Sequence, residues 1–117
     1  MNKINKPKAQ LPKGFKDSSE ENIDIRNQVI TIIRNECEKF GFKNIDTPAL
    51  EYTEALGKFL PDVDRPSGGV FSFQDEDAQW ISMRYDLTAP LARYVAENYQ
   101  FIPKPFKRYQ IGSVWRN

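Results

Sequence analysis

The chain of 117 residues contains no histidine and a single cysteine, Cys37. A lone cysteine cannot form an internal disulfide. With one cysteine and no histidine, the chain also lacks the spaced Cys and His ligands that are typical of a zinc site. No apolar run approaches the roughly 18 residues that span a bilayer, and the N-terminus lacks the apolar stretch of a signal peptide. We therefore expect a soluble cytoplasmic protein with no metal site built from this chain and no membrane contact.

An excess of charge of one sign is also lacking. Lys and Arg total 17 and Asp and Glu total 16, which gives a formal net charge of +1. Dedicated nucleic-acid-binding modules usually carry a clear basic excess, so the composition argues against that class. The length suits one domain, and a chain of this size buries roughly 65% of its unfolded surface, enough for a core.

A strong helical pattern occupies the first third of the chain. Residues 1–13 are polar with repeated Lys and Pro, which predicts a flexible arm, either a solvated tail or a contact for phosphate. Ser18 and Glu21 then have the spacing of a capping box, and Gly41 is placed as a left-handed stop. Between them, apolar residues follow one helical face: Ile25, Val29, Ile30, Ile33, Cys37 and Phe40. The pattern predicts a helix from about 19 to 40 with a buried apolar face.

Short alternating segments indicate an α+β fold with a mixed, mainly antiparallel sheet flanked by helices. Residues 42–47 have the pattern of a strand ended by Pro48, and two further strands, within 70–85, form an antiparallel hairpin. A last strand is expected over 104–116. Residues 51–58 are compatible with a short helix or with irregular structure, and the loop 59–69 with a functional cover or a mobile segment.

The stretch Met83–Pro90 joins the hairpin to a second helix, expected over 87–99. Asp86 and Thr88 place a carboxylate and a hydroxyl, both acceptors for one small cationic group, at a junction with exposed N–H groups. Either residue could instead cap the helix. With Asp86 as the cap, Pro90 falls at the fourth helical position and costs a hydrogen bond. With Thr88 as the cap, it falls in the tolerant first turn. We therefore assign the cap to Thr88 or a neighbour, which leaves the Asp86 carboxylate free for a ligand.

Two positions near this junction have open interpretations. Arg84 lies on the opposite strand face from Tyr85, where it could meet a ligand or pair with an acid of the hairpin turn, namely Asp75, Glu76 or Asp77. Gly112 interrupts the last strand, which predicts either a bulge or a close backbone approach. Along that strand, Tyr109, Ile111 and Trp115 are expected in the core.

Three segments resemble the histidyl-tRNA synthetases, a family of class II aminoacyl-tRNA synthetases. The first runs from Leu11–Asp17 through the helix to Thr47–Pro48, similar to the family's lead-in and motif 1. The second is Met83–Pro90 with Ala92–Tyr94, and the third is Phe106–Arg116, similar to the start of motif 2. The resemblance covers about 11–117. We therefore expect residues 14–117 to be the opening part of a class II catalytic domain, incomplete because the chain stops in mid-strand.

The resemblance implies roles for particular residues. Asp86, Leu87 and Thr88 match the histidine-binding strand end, where the acid and the hydroxyl hold the substrate's α-ammonium group. Arg116 matches the motif 2 arginine that meets the α-phosphate of ATP and the substrate carboxylate, so it is the expected catalytic and ATP-binding residue. Pro48 matches the motif 1 proline at the family's dimer interface, although a proline that only ends a strand fits equally well.

The implied activity is that of a homodimeric histidine–tRNA ligase, which activates histidine with ATP and transfers it to tRNA(His). Mg²⁺ is expected from the family, with ligands outside this chain. The rest of motif 2, motif 3 and the anticodon-binding domain are absent, so we expect no activity from this chain alone. One alternative is a non-catalytic relative, such as the regulatory subunit of ATP phosphoribosyltransferase or the tRNA-sensing domain of a stress kinase. Another is a truncated product whose open sheet edge pairs with another chain.

Overall fold

The computed structural model describes residues 5–56 and 69–116. They belong to two units, Met1–Asn35 and Glu36–Asn117. The elements, in chain order, are α1 (Glu20–Lys39), β1 (Lys43–Asn44), β2 (Leu50–Tyr52), a 3-10 helix (Thr53–Leu56), β3 (Ser72–Gln74), β4 (Trp80–Met83), α2 (Thr88–Asn98) and β5 (Arg108–Tyr109). Most of the predicted loop at 59–69, up to residue 68, lies outside the described residues. Within them, no helix combines the length and the apolar character needed to cross a bilayer.

Helix α1 confirms the predicted first helix, with a cap one residue away from the expected one. The Ser19 hydroxyl, not that of Ser18, accepts a hydrogen bond from the Asn22 N–H at 3.2 Å. Two glutamates follow in the first turn, where negative charge favours the helix dipole. Gly41 has a φ of 81°, as its predicted role as a left-handed stop requires.

The apolar face of α1 is open to solvent. No residue of this helix is buried, and Ile25, Val29 and Ile33 are each about half exposed. The expectation of a buried face is therefore wrong for the described structure. A 3.6-residue pattern shows which side of a helix is apolar, but it does not show that the same chain supplies the surface that covers it.

Two small sheets form within the unit Glu36–Asn117. Strands β2, β4 and β3 are antiparallel, in the order β2-β4-β3, whereas β1 and β5 form a parallel pair. The α+β fold with mainly antiparallel pairing and the hairpin of β3 and β4 are confirmed, although the parallel pair forms a sheet of its own. The last strand is much shorter than predicted, because its partner β1 offers only two residues for pairing.

The buried face of the three-stranded sheet is polar. Glu51, Ser82 and Ser72 lie side by side in register across β2, β4 and β3. The Ser82 hydroxyl is fully buried and lies 2.7 Å from the Thr53 hydroxyl and 2.6 Å from that of Ser72. Buried polar groups need such partners. The opposite face carries Leu50, Tyr52 and Phe73, which are exposed.

Helix α2 is joined to β2 by an ion pair. The Arg93 guanidinium donates to both carboxylate oxygens of Glu51, through Nε at 3.2 Å and Nη2 at 2.9 Å, and through Nη1 to Glu97 at 2.9 Å. The Glu51 side chain is only 8% exposed, whereas that of Glu97 is 65% exposed. The hydrogen bond to Glu51 is the main cause that raises the pKa of Arg93, so the guanidinium remains charged. This pair fixes the helix that begins at the candidate site.

Candidate functional site

The junction between β4 and α2 is present. Helix α2 begins at Thr88, and its N-cap position is Leu87, a neighbour of Thr88 as predicted, which has no side-chain acceptor. Asp86 Oδ1 accepts a hydrogen bond from the Ala89 N–H at 3.1 Å instead. The expectation that the Asp86 carboxylate is left free is therefore wrong for one of its oxygens. A carboxylate has two oxygens, and this bond uses one of them.

Pro90 explains why the helix can begin where it does. As the third residue of α2, it lies in the first turn, where a missing N–H breaks no intrahelical bond. Its side chain is fully buried, so it also anchors the start of the helix in the core. The expectation that Pro90 occupies the tolerant first turn is correct, because Asp86 caps from two residues before the first helical residue.

Arg116 lies beside the Asp86 segment. Its Nε donates to the Tyr85 carbonyl at 3.0 Å, and the Trp115 N–H donates to the Arg84 carbonyl at 3.0 Å. Arg116 is exposed and Asp86 is half-buried, and within the described ranges neither takes part in an ion pair. The structure therefore holds the Arg116 side chain against the main chain of the residue before Asp86, without an ion pair between the two.

Thr88 faces a different space. It is exposed and contributes to a cavity of about 150 Å³ whose other lining residues are Ile45, Leu87, Leu91, Arg108, Tyr109 and Gln110. Asp86 and Arg116, although both are described, do not line this cavity. Among the described residues, Arg116 thus contacts the segment that carries Asp86, whereas Leu87 and Thr88 line this cavity.

Tyr85 is coupled electrostatically to Asp86. Its hydroxyl donates to the Leu56 carbonyl at 3.1 Å. Burial, and to a smaller extent the Asp86 charge, raise the pKa of Tyr85 above its ordinary value. Both causes disfavour the phenolate, so the native structure holds this side chain neutral at the site.

The raised pKa of Tyr85 predicts a loss of stability at alkaline pH. A tyrosine in an unfolded chain titrates near pH 10, roughly. Since the folded pKa lies higher, its contribution to the free energy of unfolding is complete below that pH and is lost as the pH rises through the folded pKa. Urea unfolding of the chain between pH 8 and 11 should show a steeper decline for the wild type than for Tyr85→Phe. Tyr52→Phe, at an exposed tyrosine, should decline like the wild type; equal slopes for all three would contradict the assignment.

Arg84 is the functional candidate whose surroundings were not predicted. It is 6% exposed, and its guanidinium donates to backbone carbonyls rather than to an acid of the hairpin turn. Asp75 is occupied differently, because its Oδ1 accepts hydrogen bonds from the Asp77 and Gln79 N–H groups, both at 2.9 Å. Of the two interpretations of Arg84, the ion pair with the turn is therefore wrong. The Asp75 carboxylate stabilises the turn instead.

The sequence did contain one indication of where Arg84 lies, namely the glycine at position 112 within the predicted last strand. Of the two predictions for this glycine, close approach is the one observed: a Cβ placed here would lie 2.6 Å from Arg84 Nη2.

The Pro48 carbonyl lies near the same guanidinium, 3.5 Å from Arg84 Nη1. The role of Pro48 at a dimer interface stays a prediction, and Tyr109, Ile111 and Trp115, expected in the core, are each half-buried.

A metal site is not built by these residues. Within 5–56 and 69–116, no three Asp, Glu, Cys or His side chains lie close enough together to hold an ion. The carboxylates do not fit the oxygen-rich coordination that Mg²⁺ requires. No step of a reaction through Mg²⁺ follows from this part of the chain.

Comparison with known proteins identifies the family to which this sequence is similar. The family model described as histidyl-tRNA synthetase matches residues 14–117. The chain is 57% identical over 115 residues to a histidine–tRNA ligase of Mesorhizobium japonicum and 55% identical over 115 residues to one of Brucella ovis, in each case covering 98% of this chain and 23% of the relative. The chain therefore spans about a quarter of the length of the curated relatives it matches.

Solved structures show the same fold. Histidyl-tRNA synthetase from a Nostoc species superposes with a TM-score of 0.78 at 26% identity, covering 94% of this chain and 25% of that one. A Bacillus halodurans protein, described as an ATP phosphoribosyltransferase regulatory subunit/histidyl-tRNA synthetase, gives a TM-score of 0.79 at 25% identity, covering 95% and 29%. The fold, the junction at Asp86 and the family match over residues 14–117 together show that this chain belongs to the histidyl-tRNA synthetase family.

Proposed function

We propose that the protein containing this chain is a cytoplasmic histidine–tRNA ligase, which activates histidine with ATP and transfers it to tRNA(His) as a homodimer. The observation that supports the proposal is the bond between Arg116 Nε and the carbonyl of Tyr85, the residue before Asp86. A guanidinium held against the segment that carries a carboxylate, with neither group in an ion pair among the described residues, suits a zwitterionic amino acid beside a nucleotide phosphate.

Each group has a distinct task in this proposal. Asp86, with one carboxylate oxygen on the helix cap, and the exposed Thr88 hydroxyl accept hydrogen bonds from the α-ammonium of histidine. Charge-assisted bonds of this type contribute about 1.5–3 kcal/mol each. The histidine carboxylate attacks the α-phosphorus of ATP and pyrophosphate leaves, so negative charge gathers on the α-phosphate oxygens. Arg116 stabilises that charge through a guanidinium already held in place by the Tyr85 carbonyl.

A second candidate is a histidine-binding regulatory protein that does not activate its ligand. It is favoured by the double description of the Bacillus halodurans protein, which names a regulatory subunit of ATP phosphoribosyltransferase beside the synthetase. The two candidates differ in chemistry. A ligase catalyses histidine-dependent exchange of pyrophosphate into ATP, whereas a regulatory protein binds histidine without that exchange. Assay of the full-length gene product with histidine and with other amino acids separates them.

Asp86→Asn tests the substrate role of the carboxylate. The asparagine oxygen can still accept from the Ala89 N–H, so the cap is kept while the negative charge is removed. We expect the KM for histidine in the exchange reaction to rise about 10- to 100-fold, the loss of one charge-assisted bond.

Asp86→Ala is the matched variant, because it removes both the charge and the cap. It should show the same rise in KM and, in addition, lose about 1 kcal/mol of stability. An unchanged KM in Asp86→Asn, with a loss only in Asp86→Ala, would show that this carboxylate serves the helix alone.

A further inference from the structure

One side chain, that of Arg84, joins three segments of the unit Glu36–Asn117. Nε donates to the Ser113 carbonyl at 2.8 Å, and Nη1 donates to the Thr47 carbonyl at 2.8 Å. With the Gln110 amide in the orientation that satisfies its neighbours, its oxygen also accepts from Nη1, at 3.3 Å. The end of the motif 1 segment is thereby tied to the motif 2 segment that leads to Arg116.

The guanidinium of Arg84 is buried without an acidic partner. None of the ion pairs among the described residues includes it, and its exposed fraction is 6%. A buried charge is costly unless it is fully hydrogen-bonded, and here the bonds are supplied by backbone carbonyls. Because the guanidinium is planar and rigid, these carbonyls are held at fixed relative positions, which a flexible ammonium could not achieve.

The backbone around Arg84 holds the same segment a second time. The Arg84 carbonyl accepts from the Trp115 N–H, and the Tyr85 carbonyl accepts from Arg116 Nε, both at 3.0 Å. The Arg84 guanidinium also lies 5.9 Å from the Trp115 ring centroid. Side chain and main chain together therefore determine where Arg116 lies relative to Asp86.

Gly112 makes this arrangement possible. A Cβ at this position would lie 2.6 Å from Arg84 Nη2 and 3.5 Å from Cζ, so a side chain here would displace the guanidinium. The Arg84 guanidinium thus occupies the space that the absence of a side chain at Gly112 leaves open.

We propose that Arg84 is a positioning residue for amino-acid activation, which holds Arg116 beside Asp86, and that Gly112 is required because it admits the Arg84 guanidinium. This inference rests on the proposed function. In this role Arg84 acts through other residues, because its Nε and Nη1 donate to backbone carbonyls of the protein.

Arg84→Lys in the full-length gene product keeps the positive charge and removes the planar fork. We expect kcat for histidine-dependent ATP–pyrophosphate exchange to fall on the order of 10- to 100-fold, since small misplacements of a catalytic group have effects of that size. The KM values for histidine and ATP should change much less, because the interaction made in the transition state is the one disturbed. Gly112→Ala should give the same kinetic signature, and it carries the test by itself if Arg84→Lys does not fold.

A double variant, Arg84→Lys with Gly112→Ala, tests directly whether the two residues act through their mutual contact. In the Arg84→Lys background the atom that a methyl at position 112 would meet is gone, so Gly112→Ala should add little further loss. Arg34→Lys, at an exposed arginine of α1, is the control for the Arg-to-Lys substitution itself and should exchange at close to the wild-type rate.

The possible failures are distinguishable. Normal kcat in both single variants, or losses that simply multiply in the double variant, would overturn the positioning role and leave the proposed function intact. Absence of exchange by the unmodified protein would overturn the proposed function and the role of Arg84 with it.

Discussion

Replacing Arg116 by alanine in the full-length gene product is expected to lower histidine-dependent ATP–pyrophosphate exchange by about 100- to 1,000-fold. The guanidinium is held in advance by the Tyr85 carbonyl, and in the proposed function it faces charge that develops only in the transition state. Most of the loss should therefore appear in kcat rather than in the KM for histidine.

Two further variants define the cause of this loss. Arg116→Lys keeps the charge but loses the fork that bonds the Tyr85 carbonyl and a phosphate at the same time, so it should recover only a small part of the activity. Arg34→Ala, at an exposed arginine of α1, should exchange at the wild-type rate. Near-normal exchange by Arg116→Ala would remove Arg116 from the site.

The features predicted correctly from the sequence depend on local signals. Gly41 ends α1 because its own backbone conformation allows a positive φ, and the hairpin forms because Asp75 and its neighbours build a turn between two alternating segments. Such signals need only a few consecutive residues. The position of Pro90 in the first turn of α2 follows the same rule, since it depends on a proline and the helix start alone.

The features missed depend on partners that are distant in sequence. Asp86 was expected to be free because Pro90 was taken to exclude it as the cap, whereas its carboxylate reaches the Ala89 N–H from two residues before the helix. For Arg84 the two interpretations were a ligand contact or a pair with the turn acids, whereas Ser113 and Thr47 become its neighbours only in the folded chain. The open apolar face of α1 is a third case, because the pattern identifies the face and not its cover.

The polar side chains on the buried face of the three-stranded sheet show that partners distant in sequence can decide which face of a strand is buried. Alternation in β2 and β4 would place Leu50, Tyr52 and Ile81 inside, but the buried side carries Glu51 and Ser82. This is physically acceptable because the hydroxyls bond each other and Glu51 bonds Arg93 of α2. The stability of the fold therefore depends on polar pairs that a hydrophobic pattern does not reveal.

Arg93→Ala provides the strongest test of that dependence, with an expected loss of about 3–5 kcal/mol in the free energy of unfolding. The change removes the guanidinium that bonds both oxygens of Glu51, whose side chain is 8% exposed, and it leaves a buried carboxylate without its partner. Urea unfolding of the chain at neutral pH measures the loss. Part of it is the loss of the arginine's own apolar stem, since this side chain is only 26% exposed.

Two matched variants separate the buried pair from the exposed one. Glu97→Gln breaks the other ion pair of Arg93, on a side chain that is 65% exposed, and should cost at most about 0.5 kcal/mol. Joint replacement by apolar residues, Glu51→Leu with Arg93→Met, removes both charges together and should recover most of the stability lost in Arg93→Ala. If Arg93→Ala and Glu97→Gln cost the same, the buried carboxylate is not the cause, and the junction of α2 with β2 does not depend on this pair.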